Sequence, residues 1–306
     1  MRALKMQDVT LLRYHDAVAD FREWAQSRQL SLVGLKRADT AMCEYFKALR
    51  EDSRPPSDAS YCLFGWVCLV CDSSGPERFL MTRARAALSG WQKRSPSGTR
   101  TGISIDLLHV FATEFANMGE LDAGRCLEIQ LDGYLRPSEA IHLQGRDIFK
   151  IPESGGFGLV IGNEEFGETT KAGCTDDTIL LDSVDRSFVN RIMTAAVKGK
   201  LGKQKRLFPD LTLAKYESLF RQVSKKLGLV RFRISPHVVR HSGPSWDALR
   251  KLRSFEEIQA RGRWACLKSV ARYRKPGRLL LEDAKLDKSV RKLMLKGRHQ
   301  MLAALL

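Results

Sequence analysis

The stretch Ser235-Pro236-His237-Val238-Val239-Arg240-His241 constrains this chain more than any other. Serine caps helices and proline suits the first helical position, so a helix should open here. His237 and Arg240 are three residues apart and share one face of it. Both fall in the first turns, where backbone N–H groups and the helix dipole favour an anion. By itself the pair is a weak signal. A chain with 6 histidines and 51 Lys+Arg produces it by chance, and its ordinary role is a solvated or capping pair.

Three other segments give it weight. Gly133-Tyr134-Leu135-Arg136-Pro137-Ser138-Glu139 sets an arginine at a helix start with a carboxylate three residues on. The ordinary reading is a surface ion pair worth under about 1 kcal/mol. The functional reading has Glu139 positioning Arg136. Ser254-Phe255-Glu256-Glu257 is a capping box, and its helix should end near Gly262 and deliver Trp264 at a turn. Tyr273 follows, with Arg272, Arg274 and Lys275 beside it, where a phenolate near a phosphate would be stabilised. Isolated tryptophans are ordinarily core residues, and isolated tyrosines half-buried with the hydroxyl outward.

Together these side chains are the parts that phosphodiester cleavage needs. A nucleophile attacks in line, and donors hold the non-bridging oxygens. Arginine is a permanently charged planar fork that takes two phosphate oxygens. Two arginines from different helices would stabilise the charge that grows on a pentacoordinate phosphorane.

Charge agrees with that chemistry. The net charge is +16, and the segment from Lys198 onward carries 28 Lys+Arg against 8 Asp+Glu, a net of +20 that leaves −4 for the remainder. The basic third therefore also holds His237, Arg240 and Tyr273. A polyanionic partner is the expectation, against the ordinary reading of a solvated basic surface. At 43% hydrophobic the 306 residues can bury real cores, which excludes compositional disorder and leaves room for two domains.

The 7 cysteines show no disulfide framework, which suits a reducing compartment. Cys68-Leu69-Val70-Cys71 has the spacing of half a zinc site. No second pair completes it, so two core cysteines are expected and no metal. The apolar run 61–71 is too short to span a membrane, and Met1-Arg2-Ala3-Leu4-Lys5 lacks the apolar stretch of a secretory leader. The expectation is an intracellular protein with no membrane partner.

Apolar spacing predicts helices over residues 10–24, 40–50 and 83–91, with the run 61–71 apolar all round. The segment 92–102 is basic, small and turn-rich. It reads as a linker that lies along phosphates or simply connects. Helices are expected over 106–118 and 123–132, with another restarting at Pro137. Residues 147–162 and 169–181 alternate like strands of a small antiparallel sheet, joined by 163–167. Helical spacing returns over 185–199 and 213–227. The fold class is mainly α with a small antiparallel β-sheet (α+β).

The set resembles the tyrosine recombinase (phage integrase-like) family. Arg136 in its Gly-Tyr-Leu-Arg-Pro-Ser-Glu-Ala context is similar to the family's first arginine motif. His237 and Arg240 match its His-x-x-Arg motif, with His241 following. Trp264 falls where members carry His or Trp, and Tyr273 falls at the nucleophile. The likeness covers about residues 100–280. Residues 8–95 resemble, less specifically, the helical core-binding (SAM-like) domain that precedes it. The domains implied are 8–95 core-binding, 96–102 linker, 103–285 catalytic, and 286–306 a C-terminal helix exchanged between protomers.

The resemblance implies a metal- and ATP-independent enzyme that breaks and rejoins DNA through a 3′-phosphotyrosyl link on Tyr273. It is expected to be a site-specific recombinase or integrase of mobile-element origin. Arg136 and Arg240 would hold phosphate oxygens. His237 would be acid/base or phosphate donor, and Trp264 would pack and donate through its indole. Lys171 would be the general acid, with Lys150 the fallback and an exposed turn lysine the ordinary reading. Double-stranded DNA is the partner, with a homo-tetramer assembled on it. Localisation would be with the DNA, nuclear in a eukaryote, and no cofactor is expected.

The apolar stripe through Leu279–Leu281, Leu286, Val290, Leu293, Met294, Met301, Leu302 and Leu305 would dock on a neighbouring protomer, or on its own domain. Pro244 departs from the family pattern, because it removes the backbone bond to the Arg240 carbonyl and should bend the helix. Two other functions compete: a DNA-binding protein that kept the fold without catalysis, and a type IB-like topoisomerase.

Overall fold

The computed structural model describes residues 8–71, 80–95, 102–152, 154–168, 177–274 and 277–306. The chain divides between Thr99 and Arg100 into two compact units.

The first unit contains helices α1 (Asp8–Ser27), α2 (Leu35–Glu51), α3 (Pro56–Leu69) and α4 (Thr82–Arg94). Pro56 opens α3 at a position whose N–H would find no helical partner in any case. Phe21, Met42, Leu63 and Trp66 form the centre of the core. Asp39 is buried and accepts from the backbone N–H groups of Arg83 (3.0 Å) and Ala84 (2.8 Å), so α2 caps the start of α4. The run 61–71 is not apolar on every side in its surroundings. Phe64 is exposed beneath the Arg85 guanidinium, and Cys68 and Cys71 are half-buried at the core's edge rather than inside it. Of the expected linker, residues 96–101 lie outside the described residues.

The second unit runs α5 (Ile105–Asn117), α6 (Leu121–Asp132), α7 (Pro137–His142), strands β1 (Ile148–Lys150), β2 (Phe157–Ile161) and β3 (Asp177–Leu180), then α8 (Val189–Ala196), α9 (Leu213–Lys226), α10 (Pro236–Arg250), α11 (Phe255–Gly262), α12 (Leu267–Val270), α13 (Gly277–Ala284) and α14 (Lys288–Leu305). The fold is mainly helical with one small antiparallel sheet, in the order β1-β2-β3. Residues 147–162 form a hairpin of two strands rather than one run, because the chain reverses at Gly155 with φ +65°. Leu159 pairs with Ile148 on one side and Ile179 on the other, and all three are buried.

Helix packing forms the core. Phe115, Tyr216 and Phe220 stack edge to face between α5 and α9, with centroids 5.1–6.3 Å apart. The C-terminal stripe is covered within the chain: Leu286, Val290, Met301 and Leu305 are buried in the second unit's core, and α14 packs on α5. Arg125 of α6 fastens its end by donating to the Leu305 carbonyl at 3.0 and 3.1 Å. Leu280 and Leu281 remain exposed. Among the described residues, no helix is long and apolar enough to cross a membrane.

Candidate active site

Four segments meet at the site, and each is aimed by a local device. Between α6 and α7 the chain turns at Tyr134, which holds φ +49° although it carries a bulky side chain. The turn is stabilised from below. The Tyr134 hydroxyl donates to the Asp247 carboxylate, which also accepts from Arg186 Nη1 (2.8 Å) and Nη2 (3.1 Å). Arg186 Nε reaches Asp132 at 2.9 Å. Tyr134, Asp132, Arg186 and Asp247 are all buried, and burial followed by Asp247 drives the Tyr134 phenol well above its ordinary value. Burial opposes the Arg186 cation, but Asp132 and Asp247 prevail and hold it above the usual guanidinium range.

This turn presents Arg136. Pro137 starts α7, and Glu139 accepts from the Arg136 backbone N–H at 2.6 Å and from its Nη1 at 2.5 Å. Glu139 is only 12% exposed, so this is no solvated surface pair. A cleft of about 260 Å³ opens against Arg136, with His142, Asp147 and Glu168 also on its walls.

Helix α10 supplies Arg240. Pro236 occupies its first turn, and the helix continues through the buried Pro244 to Arg250, so that proline does not end it. Gly243 lets it approach α6 closely: a Cβ there would meet the Leu131 carbonyl at 2.6 Å and the Tyr134 ring at 2.6 Å. Arg240 is 5% exposed and donates to the carbonyls of Tyr134 and of Gly262, the latter at 2.6 Å. Its Nη1 lies 3.7 Å from Glu139.

Helix α11 supplies the next pair. Its capping box forms as expected, with the Ser254 N–H donating to Glu257 at 2.6 Å and the Glu257 N–H to Ser254 Oγ at 3.1 Å. It ends at Arg263, whose φ of +54° turns the chain. Trp264 folds back over Gly262, where a Cβ would strike its ring at 1.8 Å. The Arg240 guanidinium lies 5.1 Å from the Trp264 ring, within cation–π reach.

The fourth segment is the 3-10 turn Ala271–Arg274 after α12. It brings the Tyr273 ring within 5.3 Å of Trp264 and Tyr273 Oη within 2.8 Å of His241 Nδ1. Tyr273 is 3% exposed.

The electrostatics follow from three cations around one carboxylate. Arg263 Nη2 donates to the same Glu139 oxygen that accepts from the Arg136 N–H. Burial alone would raise the Glu139 carboxyl, but Arg263 and then Arg136 hold it below the usual range. Burial pushes Arg240 down to about 10, opposed by Glu139 and aided by Arg136 and Arg263, and at neutral pH it remains a cation. Burial likewise lowers Arg263, against the pull of Glu139.

The structure therefore brings together Arg136, Arg240, Trp264 and Tyr273. His237 stands in the first turn of α10 with its side chain exposed, and the histidine bonded to Tyr273 is His241. Lys171 lies outside the described residues. Lys150 ends β1 on an exposed position. Sequence reasoning missed Arg263 and gave Glu139 only one of its arginines. The signal was present in Arg261-Gly262-Arg263-Trp264, but both arginines are buried, and that Arg263 is the one to reach Glu139 depends on the left-handed turn ending α11.

No family model matches the sequence, and no curated protein matches it. Solved structures do. The chain is similar to the XerH site-specific recombinase bound to difH substrate in a pre-cleavage complex, at 16% identity and a TM-score of 0.51, over 90% of this chain and 76% of that one. It is similar also to XerH on a palindromic difH substrate in a post-cleavage complex, at 14% identity and a TM-score of 0.52, over 82% and 71% of the two chains. The fold resembles that of tyrosine recombinases. At such identities the likeness is one of fold.

Proposed function

We propose that this protein is a DNA breaking-and-rejoining enzyme, a site-specific recombinase or integrase of mobile-element origin. One observation carries the reading: Arg136, Arg240, Trp264 and Tyr273, from four separate segments, converge on one cluster that is partly to fully buried. Phosphoryl transfer needs a nucleophile close to cations that hold the phosphate, and this cluster sets a tyrosine hydroxyl bonded to a histidine beside two arginines.

In the proposed step, Tyr273 Oη gives its proton to His241 Nδ1, 2.8 Å away, and attacks the scissile phosphorus. The P–O5′ bond breaks with its electron pair going to the 5′ oxygen, which takes a proton from Lys171. Arg136 and Arg240 hold the non-bridging oxygens, and His237 completes the phosphate's donors from the first turn of α10. The product is a 3′-phosphotyrosyl link and a free 5′-hydroxyl, and a second strand's 5′-hydroxyl reverses the step. Tyr273 and Arg240 are buried in the free chain, so DNA entry must shift the segment that carries the tyrosine.

Double-stranded DNA is the proposed substrate, met by the basic C-terminal third and by the first unit, residues 8–95, as core-binding domain. Residues 103–285 are the proposed catalytic domain. In a proposed tetramer, α14 would exchange protomers by remaking on a neighbour the contacts it makes here with α5.

A nicked suicide DNA, chosen from sequences that the protein itself selects by binding, tests this. The wild type should accumulate a covalent adduct and Tyr273→Phe none. Binding without adduct would leave a DNA-binding protein that kept the fold. Supercoil relaxation without strand exchange would identify a topoisomerase.

A further inference from the structure

We infer that Arg263 is a third phosphate-holding arginine, which binds a non-bridging oxygen of the scissile diester beside Arg136 and Arg240. The inference rests on the function proposed above and adds a residue to its machinery.

Three observations lead to it. First, the Arg263 side chain is 6% exposed, and among the described residues its buried Nη1 and Nε have no hydrogen-bond partner. The Asp177 carboxylate lies 3.9 Å from Nε, beyond hydrogen-bond reach. Buried guanidinium nitrogens are ordinarily bonded, because leaving them unpaired forfeits their hydration without return. A fork with two positions unpaired among the described residues, inside a cationic cluster, is suited to hold an oxyanion.

Second, the geometry of convergence is already measured by Glu139. That carboxylate accepts from Arg136 and from Arg263 and lies 3.7 Å from Arg240 Nη1. The three guanidinium tips thus reach one anionic group at once, as two phosphate oxygens would require of them.

Third, the charge fits the transition state better than the ground state. Three arginines against Glu139 leave a formal excess of two positive charges. The non-bridging oxygens of a diester share one negative charge, which grows toward two in the phosphorane. A third cation therefore contributes most when the phosphorus is five-coordinate.

The test compares two substrates: the ordinary diester and one with a methylphosphonate at the scissile position, where a methyl group replaces one non-bridging oxygen and the linkage carries no charge. Adduct formation on the diester by Arg263→Ala should fall about 10²–10³-fold below wild type, the usual loss for one transition-state donor. On the methylphosphonate the same variant should come within a few-fold of wild type, since the charge that Arg263 neutralises is absent. Arg263→Lys, which keeps the charge but not the fork, should fall between the two on the diester.

If Arg263 only held Glu139 in place, Arg263→Ala would lose equally on both substrates, and the inference would be overturned. An undiminished diester rate would overturn it as well. Absence of any adduct with the wild-type protein would overturn the proposed function itself. Each variant serves as its own folding control, because the readout is the ratio between substrates.

Discussion

Asp247 should be the residue on which the second unit's stability turns most sharply. Its carboxylate is fully buried and accepts from Arg186 twice, from the Tyr134 hydroxyl and from Arg253 Nε at 3.3 Å. In Asp247→Ala, Arg186 keeps Asp132 at 2.9 Å and Asp185 at 3.3 Å but loses its bidentate partner, and the Tyr134 hydroxyl is left in a dry site. Breaking a buried pair costs about 3–5 kcal/mol, and an orphaned hydroxyl about 1–3 kcal/mol. The two losses share a cavity and do not add, so about 3–5 kcal/mol is the expectation. Asp182 is the contrast. It pairs with Arg253 and Arg261 in the same network, yet its side chain is 44% exposed, and Asp182→Asn should cost under about 1 kcal/mol.

The assay is hydrogen–deuterium exchange on the full chain. In Asp247→Ala, amides of α6 and α10 should exchange about 10²–10⁴-fold faster, the same free energy expressed as a rate. Amides of α1–α4 belong to the other unit and serve as the internal reference. Equal protection of α6 and α10 in the wild type and Asp247→Ala would show that this carboxylate does not hold the two helices. A large effect from Asp182→Asn would refute the reasoning as well, since burial would then not decide the size. The network also reaches the site, because the Tyr134 carbonyl holds Arg240.

Two further predictions concern the site's frame. Glu139 is held below the usual carboxylate range, so its ion pairs stabilise the fold fully above the unfolded value of about 4.3, and the contribution is lost as pH falls through the lower folded value. Thermal midpoints of the wild type should drop across that acid window, while Glu139→Gln should start lower at pH 7 and lack that limb. Ser254→Ala removes the cap of α11 at about 1 kcal/mol, so exchange of α11 amides should quicken about fivefold with α5 unchanged.

The sequence carried the helices and the order of the site residues, for separable reasons. Apolar spacing along 10–24, 106–118 and 213–227 is a local property, and packing merely buried the faces it marked. Ser254 and Glu257 cap a helix by contacts three residues apart, so pattern alone revealed them. Arg186 is different. Its partners Asp132 and Asp247 lie 54 and 61 residues away, and nothing local distinguishes it from a surface arginine. The pairing of His241 with Tyr273 spans 32 residues and depends on how the 3-10 turn falls across α10, which periodicity does not encode. Arg263 was hidden for a third reason: its inward direction comes from a left-handed backbone at a residue type that rarely adopts it. The division of 147–162 into two strands likewise followed from one glycine's φ, not from the alternation around it.

The most direct measurement is the identity of the residue and the DNA end joined in the trapped complex. Peptide mass spectrometry of the protease-digested adduct should find a nucleotide on Tyr273 through a 3′-phosphate, with a free 5′-hydroxyl on the released strand. A nucleotide on another residue, a 5′-phosphate linkage, or undiminished adduct from Tyr273→Phe would contradict the account.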